Sequence, residues 1–215
     1  MTVSLIILAD GPSPNLVGQL GASAWALYGR LLGDTVAVAR RLPGARVAVR
    51  YNPGAPRALL AALPPDTEAV PAPTAGAAAV AAALADGLAE GGPALVLGGN
   101  LPHLPPWRLR DAATHLAGEA ELVVGPSDRA SWYLIGLRPA AAGLLGAMPA
   151  PGAALDGLLA AGRGHAVHRL PPWFSVDTVG DLGSLAEVLR TMPPEVAGGT
   201  RSMVEAGQVS RAVGG

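Results

Sequence analysis

Short apolar runs rich in β-branched residues alternate with longer stretches of helical periodicity along most of this chain. The first run, residues 3–9, reads VSLIILA, which is the pattern of a buried parallel strand. This alternation predicts a three-layer α/β fold, with a mostly parallel sheet and helices on both faces. Strands are predicted over residues 3–9, 46–51, 68–70, 94–97, 121–124, 131–137 and 165–170. Helices are predicted over residues 22–42, 57–63, 74–90, 107–116 and 179–190, with two helical pieces between 139 and 161.

The length of the chain suits a single domain followed by a short tail. It has 215 residues, of which half are hydrophobic and only 14% are charged, enough to build a sizeable core. From about residue 193 the sequence has many Gly, Ser and polar residues and little periodicity. We therefore expect an α/β domain over residues 1–192 and an irregular or flexible tail over residues 193–215.

The composition excludes several kinds of chemistry. The chain has no cysteine, so it has no disulfides and no thiolate nucleophiles or metal ligands. Its basic residues are all arginines, which excludes catalytic and phosphate-binding lysines. The net charge is −1 and the arginines are scattered, a distribution that argues against a nucleic-acid partner. Neither a Gly-x-Ser-x-Gly elbow nor a Gly-x-Gly-x-x-Gly fingerprint after the first strand is present.

The apolar N-terminal segment does not have the features of a targeting signal. It lacks a basic region and reaches Asp10 too early for a signal peptide or a membrane span. We therefore expect a cytoplasmic protein with no membrane partner.

Four predicted loops should meet at one edge of the sheet, because ligands of such folds bind where parallel strands end. These loops are residues 9–20, 98–106, 125–131 and 171–178. They contain most of the polar residues that could form a site for a small molecule.

Three of these loops resemble segments of one family. Residues 97–104, LGGNLPHL, resemble its GSDCPDL-type loop, and residues 175–182, SVDTVGDL, resemble its DVDTPEDL segment. Residues 123–137, VVGPSDRASWYLIGL, resemble its VLGPAEDGGYYLIGL segment. The family is that of the small GT-A-like "glycosyltransferase A" transferases of the selenodomain-associated type, distantly related to 2-phospholactate guanylyltransferase. The resemblance covers roughly residues 3–190.

The resemblance implies a nucleotide-diphospho-sugar transferase (GT-A) type of fold. It also implies glycosyl or nucleotidyl transfer from a nucleotide or nucleotide sugar, assisted by Mg²⁺ or Mn²⁺. Four departures from the family pattern put this chemistry in doubt. The first loop, LADGPSPNLVGQL, has lost every basic residue of the family's FAKAPVPGRVKTRL, Asn100 and Ser175 replace aspartates, and residues 129–131 replace a DGG turn.

Asn100 and Asp177 are the candidate metal ligands. Mg²⁺ prefers one or two carboxylates with substrate phosphates and water, so a site with one amide should bind metal weakly. Asn100 could instead cap its own turn, and Asp177 could begin a helix. Asp10 ends the first strand, where an anion would repel a phosphate by about 4 kcal/mol at ~4 Å. It could contact a cation, an amine or a sugar hydroxyl, or simply start a turn.

The remaining candidates lie in the same loops. Asp177, Asp128 and His103 are the candidate catalytic residues, although a loop histidine between prolines is more often exposed. Candidate substrate contacts also include Gly11, Gly98 and Gly99 through their backbone amides, and Arg129, Ser131 and Tyr133 through their side chains. By strand alternation, Ser131 and Tyr133 share one face and Trp132 the other. The sequence suggests structural roles for His165 and His168, and it offers no obvious partner for His115.

Three functions are consistent with these residues. The first is a GT-A-type transferase with a changed substrate pocket, for which a role in specialised biosynthesis is one prediction. The second is a non-catalytic module that binds a partner enzyme or forms a homodimer, and the third is an enzyme on the same fold that no longer uses a nucleotide.

Overall fold

The computed structural model describes residues 2–205 and contains one seven-stranded sheet. The spatial order of the strands is β3-β2-β1-β4-β6-β5-β7. All neighbours are parallel except the two pairs that include β6, which runs against β4 and β5. The strands are β1 (Val3–Ala9), β2 (Ala45–Tyr51), β3 (Glu68–Pro71), β4 (Ala94–Gly98), β5 (Leu122–Pro126), β6 (Trp132–Leu137) and β7 (Val167–Arg169).

Helices cover both faces of this sheet, as the sequence predicted. They are α1 (Pro14–Leu20), α2 (Ser23–Ala39), α3 (Arg57–Ala61), α4 (Gly76–Ala89), α5 (Pro106–Ala117), α6 (Asp156–Ala161), α7 (Val179–Thr191) and α8 (Gly198–Glu205). A 3-10 helix, Pro139–Ala147, follows β6. None of the helices in the described residues is long and apolar enough to cross a membrane.

The interior strand β1 is buried on both faces, which explains its uninterrupted apolar sequence. Leu5 and Ile7 pack in the same cluster as residues of α2 and α5, whereas Ile6 and Leu8 pack with residues of α4. Successive side chains of a strand point to opposite faces, so one strand contributes to two cores. The prediction of a three-layer, mostly parallel α/β fold is thus confirmed.

A helix that the sequence analysis missed forms inside the first predicted loop. Ser13 accepts a hydrogen bond from the amide of Leu16, and Pro14 begins the helix, as is common at helix N-termini. Leu16 and Leu20 lie one helical turn apart and are buried against α2 and α7 residues in a third apolar cluster. The first loop therefore reaches the edge of the sheet as a short helix.

The prediction of an irregular segment after residue 192 is wrong for residues 198–205, which form α8. The helix is stabilised by α2, since the carboxylate of Asp34 accepts hydrogen bonds from the amides of Gly199 (3.3 Å) and Thr200 (2.6 Å). Val196 and Ala197, just before it, are buried. A partner so far along the chain leaves no local signal in the sequence. Residues 206–215 of the predicted tail lie outside the described residues.

Candidate functional site

A cavity of about 590 Å³ opens where the strands end, within the usual range for small-molecule sites. Residues from all four predicted loops contribute to its wall. The predicted residues that line it are Asp10, Gly11, Gly98, Gly99, Asn100, Arg129, Ser131, Tyr133 and Asp177. Ser13, Tyr28, Ser127, Trp132 and Ser175 also line it. The structure thus brings together nine of the eleven candidate site residues.

The carboxylate of Asp177 has a hydrogen-bond donor on each oxygen. The side-chain amide of Asn100 donates to its Oδ1 at 2.8 Å and to the carbonyl of Val176 at 3.3 Å. The hydroxyl of Ser175 donates to Oδ2. Asn100 and Ser175, which stand where the resembling family segments have aspartates, therefore both donate to Asp177.

This arrangement does not fit a divalent cation held by the protein alone. Such a cation needs hard oxygen ligands, usually carboxylates with free lone pairs directed at it. Here Asn100 directs its NH₂ group, not its oxygen, at Asp177, and Ser175 engages the other carboxylate oxygen. A pair of aspartates at these positions would repel each other without a cation, whereas the amide–carboxylate pair is stable by itself.

The loop that carries Asn100 is held rigidly by α2. The buried hydroxyl of Thr35 donates to the carbonyl of Gly99 at 3.2 Å and accepts from the amide of Leu101 at 2.9 Å. The carbonyl of Asn100 accepts from the amide of Val176 at 3.1 Å, which joins this loop to the Asp177 loop. These bonds fix the position of Asn100 before any ligand binds.

Asp181 is a buried acid that the sequence analysis did not select; it does not line the cavity but pairs with Arg129, which does. It forms a capping box with Thr178 at the start of α7 and also accepts from the amide of Asp177 at 2.9 Å. Burial raises the pKa of Asp181, but its hydrogen bonds from Arg129, Asp177 and Thr178 outweigh burial, so the net pKa lies below the ordinary value. The spacing Thr-x-x-Asp before an apolar helix could have predicted this cap.

Arg129 is the one arginine among the described residues that line the cavity. It forms an ion pair with Asp181, and its own side chain is 47% exposed. The hydrogen bond that Arg129 donates to Asp181 raises the pKa of Arg129 further above its already high value. The pair neutralises both charges, which reduces the attraction of the mouth for a phosphate.

Asp10 and Tyr28 form a second polar region, on the β1 side of the cavity. Asp10 remains accessible to water in the mouth, yet the surrounding protein partly desolvates it and raises its pKa. Burial raises the pKa of the Tyr28 hydroxyl, and the negative charge of Asp10 is the second-largest cause of this increase. A Cβ at Gly99 would lie only 2.6 Å from this hydroxyl, so Gly99 is required for the approach of Tyr28. Tyr28 was missed because its helix sequence predicts only burial.

The structure contradicts the placement of His103 at the mouth. Its side chain is fully buried, with ring centroids 4.2 Å from Phe174 and 5.4 Å from Trp173, and it does not line the cavity. Burial lowers the pKa of His103 to about 3, against a smaller opposing effect of Asp181, so the ring is neutral. Its neighbours Leu101 and Leu104 are also fully buried, which draws this loop into the core.

Asp128 also lies outside the cavity lining, contrary to its prediction as a catalytic residue. It is exposed at the tip of the β5–β6 hairpin. The hydroxyl of Ser127 accepts from the amides of Arg129 (3.1 Å) and Ser131 (3.3 Å), and Ala130 has a φ of 59°. This turn directs Arg129 and Ser131 toward the cavity and leaves Asp128 on the outer side.

The strand alternation predicted for β6 is observed. Tyr133 belongs to the core cluster that includes α2 and α5 residues, whereas Trp132 belongs to the cluster that includes α4 residues. The Tyr133 hydroxyl donates to the carbonyl of Pro171 at 3.2 Å and accepts from Arg108 at 3.3 Å. Because this hydroxyl has protein partners and the side chain is buried, Tyr133 forms part of the cavity wall and offers no free polar group to a ligand.

Comparison with protein families gives one match. The family model described as "Uncharacterized protein conserved in bacteria (DUF2064)" matches residues 35–150, which is more than half of the chain. This stretch contains the Asn100 loop and the β5–β6 hairpin. No curated protein matches the chain.

Several solved structures share the fold. A Desulfovibrio desulfuricans G20 protein, provisionally described as a nucleotide-diphospho-sugar transferase, is 20% identical, and the match covers 99% of each chain with a TM-score of 0.80. Rv0371C of Mycobacterium tuberculosis H37Rv, solved with manganese, is 22% identical over 87% of this chain and 99% of its own, with a TM-score of 0.59. CMP:2-keto-3-deoxy-manno-octonic acid synthetase, solved with CTP, is 12% identical over 89% and 99% of the two chains, with a TM-score of 0.62. At these identities the similarity shows the fold alone.

Proposed function

The chain belongs to the DUF2064 family of bacterial proteins, and from this premise we propose that it is a GT-A-type transferase with a changed substrate pocket. In this proposal the cavity binds a nucleotide or nucleotide sugar mainly through its uncharged nucleoside or sugar part. Mg²⁺ or Mn²⁺ binds weakly and is not required for this recognition. The selenodomain-associated subfamily, a cytoplasmic location and a role in specialised biosynthesis remain predictions from the sequence.

The observation that carries this proposal is the set of hydrogen bonds around Asp177. Both carboxylate oxygens accept hydrogen bonds from protein side chains, Asn100 and Ser175. A cation would have to break at least one of these bonds before it could bind. A ligand that binds without a metal-bound diphosphate would leave both of these hydrogen bonds intact.

The charges at the mouth support the same proposal. Arg129 is paired with Asp181, and Asp10 adds a carboxylate where a phosphate would be repelled. A carboxylate accepts hydrogen bonds from the hydroxyls of a sugar or ribose, a task for which Asp10 is accessible. Trp132 and Tyr133 contribute to the cavity wall but are buried, so they shape the cavity and present little surface to the ligand.

Isothermal titration calorimetry tests this proposal. Nucleosides, nucleotides and UDP-, GDP- and dTDP-sugars are titrated into the protein, with Mn²⁺ and with EDTA. We expect at least one ligand to bind with an affinity that changes less than about threefold on removing Mn²⁺, and Asp10→Asn to weaken it about tenfold, or about 1.4 kcal/mol.

Asp128→Asn is the matched control, because it removes the same charge from a residue outside the cavity. Binding that needs Mn²⁺, or that Asp10→Asn leaves unchanged, contradicts the proposal. If no nucleoside or nucleotide sugar binds under either condition, the pocket no longer takes a nucleotide, and the third function inferred from the sequence is favoured instead.

One observation favours a second candidate, a non-catalytic module. Of the three predicted catalytic residues, His103 is buried, Asp128 lies outside the cavity, and Asp177 has both oxygens engaged. Such a module binds its ligand without turnover and could act with a partner enzyme or as a homodimer. Assaying release of nucleoside mono- or diphosphate from the ligand found by calorimetry separates the two candidates, since turnover by the protein alone excludes the module.

A further inference from the structure

Three potential metal ligands meet on the outer side of the sheet, at its β7 edge. Asp111 and His115 are four residues apart on α5, so they share one helix face, and His168 lies on β7. The Nε2 atom of His115 is 3.4 Å from Oδ1 of Asp111, and Nε2 of His168 is 3.7 Å from Oδ2 of Asp111. One donor atom from each residue can be chosen so that all three lie within 4.8 Å of one another.

These distances are close to those of a metal site. At a metal–ligand bond of about 2.0–2.1 Å, the ligand atoms of a tetrahedral Zn²⁺ site are about 3.3–3.4 Å apart. The distance from His115 to Asp111 Oδ1 already has this value, and that from His168 to the other carboxylate oxygen, Oδ2, is a few tenths of an ångström longer. With one donor atom from each residue, the set lies within 4.8 Å and must contract around the ion. All three side chains are half-buried, which limits their freedom without closing the site to an ion.

The donor set matches the chemistry of a late transition ion. Imidazole nitrogen suits Zn²⁺, Cu²⁺ and Ni²⁺, and one carboxylate supplies charge neutralisation. We propose that Asp111, His115 and His168 form a Zn²⁺ site, with a fourth coordination position open to water. This inference does not depend on the proposed function, because none of the three residues lines the cavity.

The two imidazole rings now stack, with centroids 3.4 Å apart and planes 15° from parallel. Metal coordination requires each nitrogen lone pair to point at the ion, so the rings must turn from this face-to-face arrangement. Their partial exposure permits such a rotation: 42% of the His115 side chain and 29% of the His168 side chain are accessible. Zn²⁺ would replace the stack with bonds to both rings.

The other two of the four histidines have different surroundings. His103 is fully buried in the core, and His165 pairs with Glu121 at 2.9 Å. A Zn²⁺ ion at the proposed site would connect α5, which follows the Asn100 loop, to β7, which precedes the Asp177 loop. The ion would therefore stabilise both elements from which the cavity loops extend.

Competition with a chromophoric Zn²⁺ chelator measures this site, using the full chain after EDTA treatment. We expect one equivalent of Zn²⁺ to bind and to raise the melting temperature, and one equivalent of Co²⁺ to give the visible d–d bands typical of tetrahedral coordination. His168→Ala, or His168→Gln should the alanine variant fail to fold, should weaken Zn²⁺ binding at least tenfold, and Asp111→Asn should also weaken it.

His165→Ala is the matched control, since it removes a histidine three positions away and outside the cluster. It should bind Zn²⁺ as the unmodified protein does, as should Asp177→Asn in the cavity. Binding far below one equivalent, or an equal loss of affinity in the His165 and His168 variants, would overturn the proposal.

Discussion

At the scale of single residues, Asn100 shows how exchanging one carboxylate oxygen for an NH₂ group changes a site. An aspartate there would face Asp177 at a distance where two negative charges repel strongly. The amide instead donates to Asp177 at 2.8 Å, so the pair is stable without a counter-ion. The identity of this residue could be predicted to weaken metal binding, but the hydrogen bond that it forms could not, because its partner lies 77 residues away.

Asn100→Asp should restore metal dependence to the site. We expect the free energy of unfolding without metal to fall by about 1–3 kcal/mol, because two carboxylates then share the space. Mn²⁺ should bind at least about tenfold more tightly than to the unmodified protein and should reverse the loss of stability. Urea denaturation with and without Mn²⁺ measures both effects.

Asn52→Asp, at an exposed loop position, is the control for the added charge. If Asn100→Asp gains no more Mn²⁺ affinity than this control, the site around Asp177 is not a former metal site.

Asp181 should make stability depend on pH in acid. The folded-state pKa of this residue lies below its unfolded value of about 3.9, so its contribution is complete above that value and is lost as the pH falls through the folded pKa. Asp181→Asn should cost about 1–2 kcal/mol at neutral pH, because the helix cap and the bond to Arg129 are weakened. It should also reduce the slope of stability against pH below about pH 4.

Urea denaturation across a pH series measures this slope, with Asp128→Asn as a control for the removal of a nearby exposed carboxylate. A slope for Asp181→Asn equal to that of the unmodified protein would contradict the assignment of Asp181.

At the scale of elements, α1 shows where sequence reasoning was incomplete. Ser13 before Pro14 is a helix start signal, and Leu16 and Leu20 are correctly spaced, but the segment is too short for periodicity to stand out from a loop. The start of α1 is also attached to the Asp177 loop, because the Ser13 hydroxyl donates a hydrogen bond to the carbonyl of Asp177. Gln19 accepts from the amide of Val179, which is a second link between α1 and α7.

Ser13→Ala should therefore destabilise the protein by more than the loss of an isolated helix cap would. We expect a loss of about 1–2 kcal/mol, because the cap of α1 and the bond to the Asp177 loop are removed together. Ser184→Ala, at an exposed position of α7, should change stability by only a few tenths of a kcal/mol. Equal effects of the two substitutions, measured by chemical denaturation, would show that Ser13 does not link the two segments.

At the scale of the whole molecule, the alternation of strands and helices predicted the class of fold, but the order of the strands was not predicted. The reversal of β6 and its place between β4 and β5 depend on pairings between distant segments, which local periodicity does not contain. Helix α8 was missed for the same reason. Gly198 and Gly199 have low helix propensity, and the stabilising carboxylate of Asp34 lies on α2.

Asp34→Ala should release α8 from the rest of the molecule. The first amides of this helix would lose their acceptor, and global stability should fall by about 1–2 kcal/mol. Hydrogen–deuterium exchange of residues 198–205 should accelerate at least about tenfold, while exchange in the interior strand β1 should change less. Unchanged exchange in residues 198–205 would mean that the apolar contacts before α8, at Val196 and Ala197, are sufficient to hold it.

The reversed direction of β6 has a consequence for how the ligand preference of this protein can evolve. The turn from Ser127 to Ser131 joins two adjacent strands, so both of its ends are fixed by their hydrogen bonds. Its side chains can change, and residues can be inserted, without moving any crossover helix. The Asn100 and Asp177 loops lack this independence, because each leads directly into a helix. New specificities should therefore arise first by variation at the hairpin tip, which makes it the natural target for a randomised library.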